Sequence, residues 1–187
     1  MAIPLDPGAG GRSIDVTALE TSDFIVSTQK GLLSGAIRLG TWSAVSHVAL
    51  YIGYGQIVEA IGPGVSLNQL DVALRADTLA VVYRYPDLDP TDALKIRDFV
   101  GLQLDKGYNH TAILAQACQI TGRIVCERAG QAIAQRQDRF ICSQLVLAAY
   151  ESVGIKLTKT RLVMSRPGQI PQLYLDGVLK YVGHLKA

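Results

Sequence analysis

Three side chains in this sequence carry groups that together could perform nucleophilic catalysis. His47 and Glu59 stand in the segment SHVALYIGYGQIVEA (residues 46–60), and Cys142 follows more than eighty residues later. An imidazole beside a thiol stabilises the thiolate and later donates a proton to the leaving group, while a carboxylate orients the ring. The alternative is that His47 and Glu59 are two polar residues on a solvent-facing sheet surface with no joint role.

The register of a predicted hairpin decides between these interpretations. Side chains alternate along a strand, so His47, Ala49 and Tyr51 share one face. If residues 53–55 (GYG) form a three-residue loop, Glu59 pairs with Ala49 and lies on the face of His47, at a diagonal distance of about 7–8 Å. A two-residue loop would instead place Glu59 on the opposite face.

Cys142 stands where the sequence pattern changes to that of a helix. In FICSQLVLAAY, Leu145, Val146 and Ala149 follow the cysteine at i+3, i+4 and i+7, which predicts an amphipathic helix starting at or next to Cys142. Unpaired backbone N–H groups and the helix dipole favour the thiolate at such a position. The sequence therefore predicts Cys142 as the nucleophile.

The other cysteines and histidines have no comparable context. Cys118 and Cys126 fall in an apolar helical region, where a free cysteine is usually a small buried hydrophobe. His110 and His184 have no partners at metal-ligand spacing, so we expect no metal and no cofactor. An odd number of cysteines without a C-x-x-C pair also argues against a disulfide framework.

Composition predicts a single domain over residues 1–187, with an irregular N-terminal arm over residues 1–13. The chain is 49% hydrophobic, and its 18 basic residues nearly balance 16 acidic ones, so nucleic acid is not an expected partner. No apolar run reaches the roughly 18 residues of a membrane span, and the N-terminus lacks the pattern of a signal peptide. We expect a soluble protein, cytoplasmic as encoded or exported by a leaderless route.

Periodicity predicts an α+β protein whose first half is rich in strands. We expect strands at residues 22–29, in the hairpin and at 78–85, helices at 31–40, 89–104, 110–136 and 142–154, a loop at 62–75, and a surface tail with a short element at 175–183. The first long helix is predicted to start at Asp89 as N-cap with Pro90 in its first position.

Three motifs in this order resemble the circularly permuted papain-like (NlpC-type) cysteine hydrolases, in particular their YiiX/YaeF-like branch. The motifs are TWSAVSHVALYIG, IVEA and FICSQLVLAAY, and the resemblance covers roughly residues 22–155. It implies an antiparallel sheet, partly curled into a barrel, with the cysteine-bearing helix packed on it. It also implies Cys142 as nucleophile, His47 as base and Glu59 as the orienting residue. Gln144 departs from the branch, which more often carries glutamate there.

The resemblance implies hydrolysis of an amide bond through an acyl-enzyme, in peptidoglycan stem peptides or a related peptide substrate. A lipid acyl-ester or amide hydrolase, or an acyltransferase, is the alternative, although ICSQ differs from the Asn-Cys-Glu-His stretch typical of lipid acyltransferases. A binding module on the same fold is the non-enzymatic alternative. Without a leader, a cell-wall enzyme would be a secreted antibacterial effector, with a cognate immunity protein or secretion-system partner.

An acyl transfer needs fixed donors where negative charge develops. The backbone N–H of Cys142 is one predicted oxyanion donor, and Tyr51, Tyr54 and Tyr108 are candidates for the second.

Overall fold

The computed structural model describes residues 11–29, 47–62, 64–108, 139–159, 165 and 167–185. The predicted helices at 31–40 and 110–136, with Cys118, Cys126 and His110, lie outside these residues. The described strands are β1 (Ser13–Ile14), β2 (Phe24–Gln29), β3 (His47–Gly53), β4 (Gln56–Ile61), β5 (Gly64–Gln69), β6 (Asp77–Arg84), β7 (Gly107–Tyr108), β8 (Arg139–Phe140) and β9 (Lys180–Leu185). The α-helices are α1 (Leu70–Ala76), α2 (Pro90–Gly101), α3 (Cys142–Glu151) and α4 (Gln169–Leu175).

Seven of the strands form one sheet, in the order β1-β9-β6-β2-β3-β4-β5. Each neighbouring pair is antiparallel except β1 with β9, and β7 pairs with β8 in a separate parallel ribbon. The α+β class and the sheet carrying a cysteine-bearing helix were predicted, and both are confirmed.

The hairpin of β3 and β4 has the predicted register but reaches it by a different turn. Tyr54 and Gly55 both have positive φ, 54° and 70°, as a two-residue type I′ turn requires. Ile52 is bulged between the pairs Tyr51–Ile57 and Gly53–Gln56. The predicted three-residue loop is therefore wrong in detail, because the extra residue lies in the strand.

The bulge restores the pairing that a two-residue turn alone would lose. Without it, Glu59 would stand opposite Leu50 and face the other side of the sheet. With it, Glu59 pairs with Ala49, as predicted.

Three other predictions are corrected by the sheet. The segment predicted as a loop at 62–75 forms β5 and most of α1. The predicted surface tail forms α4 and then β9, which lies inside the sheet between β1 and β6. Ser13, assigned to an irregular arm, starts β1 and pairs with β9. Strand pairing orders these segments although their local signals favour turns or irregular structure. β5 pairs with the preceding β4, whereas β9 pairs with β1 and β6, which are distant in sequence.

Helix α3 packs against β3 and β4, and both of its ends are anchored. Eight of its ten residues are buried, as expected of a helix that is apolar on all sides. At the C-terminal end, the Tyr150 hydroxyl donates to the Ser22 carbonyl at 2.8 Å, and its ring stacks on Phe24 with centroids 4.8 Å apart. Gly154, with φ of 81°, follows the helix as the predicted stop. These contacts hold the C-terminal end of the helix against Ser22 and Phe24.

The helix predicted from Asp89 is also confirmed. Asp89 accepts a hydrogen bond from Thr91 N–H at 2.7 Å, and Pro90 occupies the first helical position. The side chain thus satisfies one of the N–H groups left unpaired at the helix start.

Candidate active site

His47 and Glu59 form a buried pair on the neighbouring strands β3 and β4. His47 Nε2 lies 2.5 Å from Glu59 Oε2, and the two residues are 6% and 4% exposed. The pair forms because His47 and Ala49 share a face and Glu59 stands opposite Ala49. The alternative of two solvent-facing polar residues is therefore excluded by the geometry.

The second carboxylate oxygen of Glu59 is held from β5. Asn68 donates through Nδ2 to Glu59 Oε1 at 2.7 Å and to Ser66 Oγ at 3.1 Å, and Ser66 stands directly opposite Glu59. Sequence reasoning missed Asn68 because its segment was assigned to a loop. The alternation of Val65, Ser66, Leu67 and Asn68 between apolar and polar is the strand signal that could have found it.

Cys142 occupies the first position of α3, where the sequence predicted it. Ile141 is the N-cap, and its N–H donates to the side-chain oxygen of Gln144 at 3.1 Å. Isoleucine has no side-chain acceptor, so only this half of a capping box exists. The amide of Gln144 supplies the same acceptor oxygen that a glutamate would, which explains how the departure from the branch is tolerated.

The Cys142 side chain lies close enough to His47 to act on its pKa, so the structure brings the three predicted residues together. His47 is the first residue of β3, at the end of the strand against which α3 packs. Since Nε2 is engaged by Glu59, Nδ1 is the ring nitrogen left for the thiol. Each nitrogen of the imidazole thus has its own partner.

The environment favours a protonated imidazole. Burial alone would lower the pKa of His47, but the hydrogen bonds and charges of Cys142 and Glu59 outweigh it and raise this pKa to about 10. Burial alone would raise the pKa of Glu59, yet the hydrogen bond and charge of His47 and the hydrogen bond from Asn68 hold it below its ordinary value. At neutral pH the site therefore holds an imidazolium beside the ionised carboxylate of Glu59.

A second carboxylate lies beside this set. Asp77, the first residue of β6, is 8% exposed and interacts with the Ser27 side chain, and Ser27 stands directly opposite His47. Burial raises the pKa of Asp77 to about 6, against the opposing effects of the Ser27 hydrogen bond and the His47 charge. No local pattern in the sequence distinguishes Asp77 from an ordinary strand-start residue.

The structure does not bring Tyr51 or Tyr54 to the site. Tyr51 is four residues along β3 from His47, about 13 Å, and its hydroxyl accepts a hydrogen bond from Gly55 N–H at 3.1 Å. Tyr54 is 91% exposed at the hairpin tip. Tyr108 stands opposite Phe140 in the β7–β8 ribbon, two residues before Cys142, and stays a candidate. Its side chain lies outside the described atoms.

Among the residues that the structure describes, no group of three or more His, Cys, Asp and Glu side chains could hold a metal ion. In the same part of the chain, no helix has the length and apolar character to cross a membrane. His184, the other histidine described, is buried in β9, where Nδ1 contacts the Tyr181 hydroxyl at 2.6 Å.

Comparison with known proteins supports the predicted resemblance. The model of the family described as permuted papain-like amidase enzymes, YaeF/YiiX, C92 family, matches residues 18–172. The chain is 29% identical over 202 aligned residues to "Probable lipoprotein peptidase YaeF" of Escherichia coli (strain K12), covering 94% of this chain and 74% of YaeF. The crystal structure of metalloprotein YiiX from Escherichia coli O157:H7 matches with a TM-score of 0.57 and 18% identity, covering 90% of this chain and 88% of YiiX. The likeness to YiiX confirms the predicted fold.

Proposed function

The chain belongs to the family of permuted papain-like amidases, and from this premise we propose that Cys142, His47 and Glu59 are its nucleophile, base and orienting carboxylate. One observation carries the proposal. A buried histidine uses one ring nitrogen for a carboxylate and interacts with a thiol at a helix start. This is the arrangement that activates a cysteine for attack on a carbonyl carbon.

The reaction that fits these groups is amide hydrolysis in two halves. The thiolate attacks the carbonyl carbon, and the C–N bond breaks as His47 gives its proton to the leaving amine, which leaves a thioester on Cys142. The neutral imidazole then takes a proton from water as the oxygen attacks the thioester. Collapse of the second intermediate releases the carboxylic acid and regenerates the thiolate beside a protonated His47.

Glu59 would keep the ring in the orientation and tautomer that this sequence of proton transfers needs. Asn68, through its hydrogen bond to Oε1, would hold the carboxylate in turn. The backbone N–H of Cys142 is the proposed first oxyanion donor, because N–H groups of the first helical turn have no partner within the helix. Tyr108 is the proposed second donor.

We infer that the substrate is an amide bond within a peptide, such as a peptidoglycan stem peptide. The family is one of amidases, and YaeF is named a lipoprotein peptidase. A role as an antibacterial effector, with a cognate immunity protein, is part of this proposal. Acyl lipids are the alternative substrate, and a binding role without turnover is the alternative function.

Incubation with peptidoglycan fragments and, separately, with phospholipid vesicles tests these alternatives, with products identified by mass spectrometry. The comparison uses the wild type, Cys142→Ala, and Tyr54→Asn as a control on the same hairpin, since Tyr54 is exposed and distant from Cys142. We expect stem-peptide cleavage by the wild type and the control, and none by Cys142→Ala. Cleavage that persists in Cys142→Ala would contradict the assigned nucleophile, and binding without any product would favour the binding module.

A further inference from the structure

Polar side chains form a row across five neighbouring strands, and the first of them has no part in the mechanism above. The row runs through Asp77 of β6, Ser27 of β2, His47 of β3, Glu59 of β4 and Asn68 of β5. We propose that Asp77 is a positioning residue of the site, whose ionised carboxylate acts across Ser27 on His47 and helps to hold the ring protonated. This inference deepens the proposed function and rests on it.

The geometry of Asp77 is unusual for a carboxylate that only supports the fold. The residue is more than nine-tenths buried, and its buried Oδ1 atom has no hydrogen-bond partner among the residues that the structure describes. Buried polar atoms in native proteins are nearly always paired, and an exception calls for an explanation. A fold-supporting role would be served as well by a neutral or apolar residue, whereas action on His47 requires the charge.

The charged groups around Asp77 identify its counterpart. His47 favours the ionised form of Asp77, and Glu59 opposes it. Helix α1, which precedes Asp77, contributes Asp71 and Arg75, but these pair with each other at 3.3 Å on the surface, with side chains 69% and 79% exposed. Among the described residues that act on Asp77, His47 is therefore the one whose positive charge stabilises the ionised carboxylate.

The expected strength of the coupling follows from the sheet spacing. Asp77 stands opposite Gln29, two residues along β2 from Ser27, and β2 separates β6 from β3, so the backbones of Asp77 and His47 are about 12 Å apart. Unit charges at that distance, in the effective dielectric of a protein, shift each other's pKa by about half to one pH unit. Because the coupling is reciprocal, loss of the Asp77 charge must lower the pKa of His47.

Titration of the His47 ring by NMR tests the inference without requiring turnover. The chain has three histidines, so the His47 signals are assigned by their loss in His47→Gln. We expect Asp77→Asn to lower the His47 midpoint by about half to one pH unit. The matched control Asp71→Asn, which removes an exposed carboxylate six residues earlier, should leave the midpoint unchanged. A folded Asp77→Asn that titrates like Asp71→Asn overturns the inference.

A second variant covers the case in which Asp77→Asn does not fold. Wild-type His47 shifts should show a further inflection near pH 6, where Asp77 titrates. Ser27→Ala keeps the carboxylate but removes the hydrogen bond that lowers its pKa, so the inflection should move to higher pH. Absence of any movement would also overturn the inference. If the wild type cleaves no substrate while these shifts occur, the proposed function fails and the coupling stands.

Discussion

Glu59 accepts two hydrogen bonds that a glutamine in its place could not both accept. Oε2 faces His47 Nε2 and Oε1 receives Nδ2–H of Asn68. Both neighbours donate a hydrogen bond to Glu59. In Glu59→Gln the amide has one acceptor oxygen and one NH₂ donor, so the NH₂ group would face a second donor, either the ring of His47 or Asn68. Adding Asn68→Asp places an acceptor opposite that NH₂ and returns a negative charge to the pair. The second substitution should therefore rescue the first.

The structure sets the size of the effect. A lost hydrogen bond to a charged group is worth about 1.5–3 kcal/mol, and removal of one partner of a buried ion pair costs about 3–5 kcal/mol. Both partners are buried, so we take about 3 kcal/mol, which corresponds to a loss of about 100-fold in kcat/KM. In the double variant the charge lies one side chain farther from His47, and we expect recovery of about 10-fold, half of the loss in logarithmic terms.

The assay is kcat/KM on one peptidoglycan fragment for Glu59→Gln, Asn68→Asp, the double variant and the wild type, with the His47 titration midpoint measured alongside. Asn68→Asp alone should reduce activity, because two carboxylates would face each other and one would hold a proton. Glu59→Gln should lower the His47 midpoint and the double variant should raise it again. The four proteins form a double-mutant cycle. If the double variant is no more active than Glu59→Gln and the coupling free energy between the two positions is zero, this account of the site is refuted.

Three further predictions concern stability. Burial raises the pKa of Asp77 from 3.8 to about 6, so the folded protein binds this proton more tightly than the unfolded chain does. The stability gained from the protonated carboxyl is therefore complete below about pH 4 and is lost as pH rises through 6. Between pH 4 and 7, Asp77→Asn should gain up to about 3 kcal/mol relative to the wild type in urea titrations, and a pH-independent difference would contradict this. Gln144→Ala should lower the free energy of unfolding by about 1 kcal/mol in thermal melts, because the Ile141 N–H loses its acceptor. Gln144→Glu keeps an acceptor oxygen, so an equal loss of stability in that variant would exclude the capping role. Tyr150→Phe should cost about 1 kcal/mol through the lost bond to Ser22 while kcat stays unchanged, and undiminished stability would show that this bond contributes nothing.

The parts of the site that the sequence predicts are those with a local pattern. Alternation along β3 placed His47 and Ala49 on one face, and helical spacing after Cys142 placed the thiol at a helix start. Both signals arise within a few residues, where periodicity is informative. The approach of Cys142 to His47 is a long-range contact that no local pattern encodes, and it was predicted from the chemistry of the two residue types and from the family resemblance.

The parts that were missed depend on which strands become neighbours in the sheet. Asn68 meets Glu59 because β5 pairs with β4, in a segment whose glycines favour a turn. Asp77 enters the site because β6 pairs with β2, which in turn pairs with β3. The bulge at Ile52 depends on how a type I′ turn joins two strands, which residue types alone do not determine.

Because of the bulged hairpin, the site depends on whether the number of residues that join β3 to β4 is odd or even. The tip at Tyr54 is solvent-exposed and several residues from His47, yet the number of residues between the two strands decides which side of the sheet Glu59 occupies. Inserting two residues at the tip would preserve that side, while removing one at Ile52 would exchange it. Indels of one residue at this outlying turn should therefore abolish the site as completely as a substitution within it, and indels of two should be tolerated.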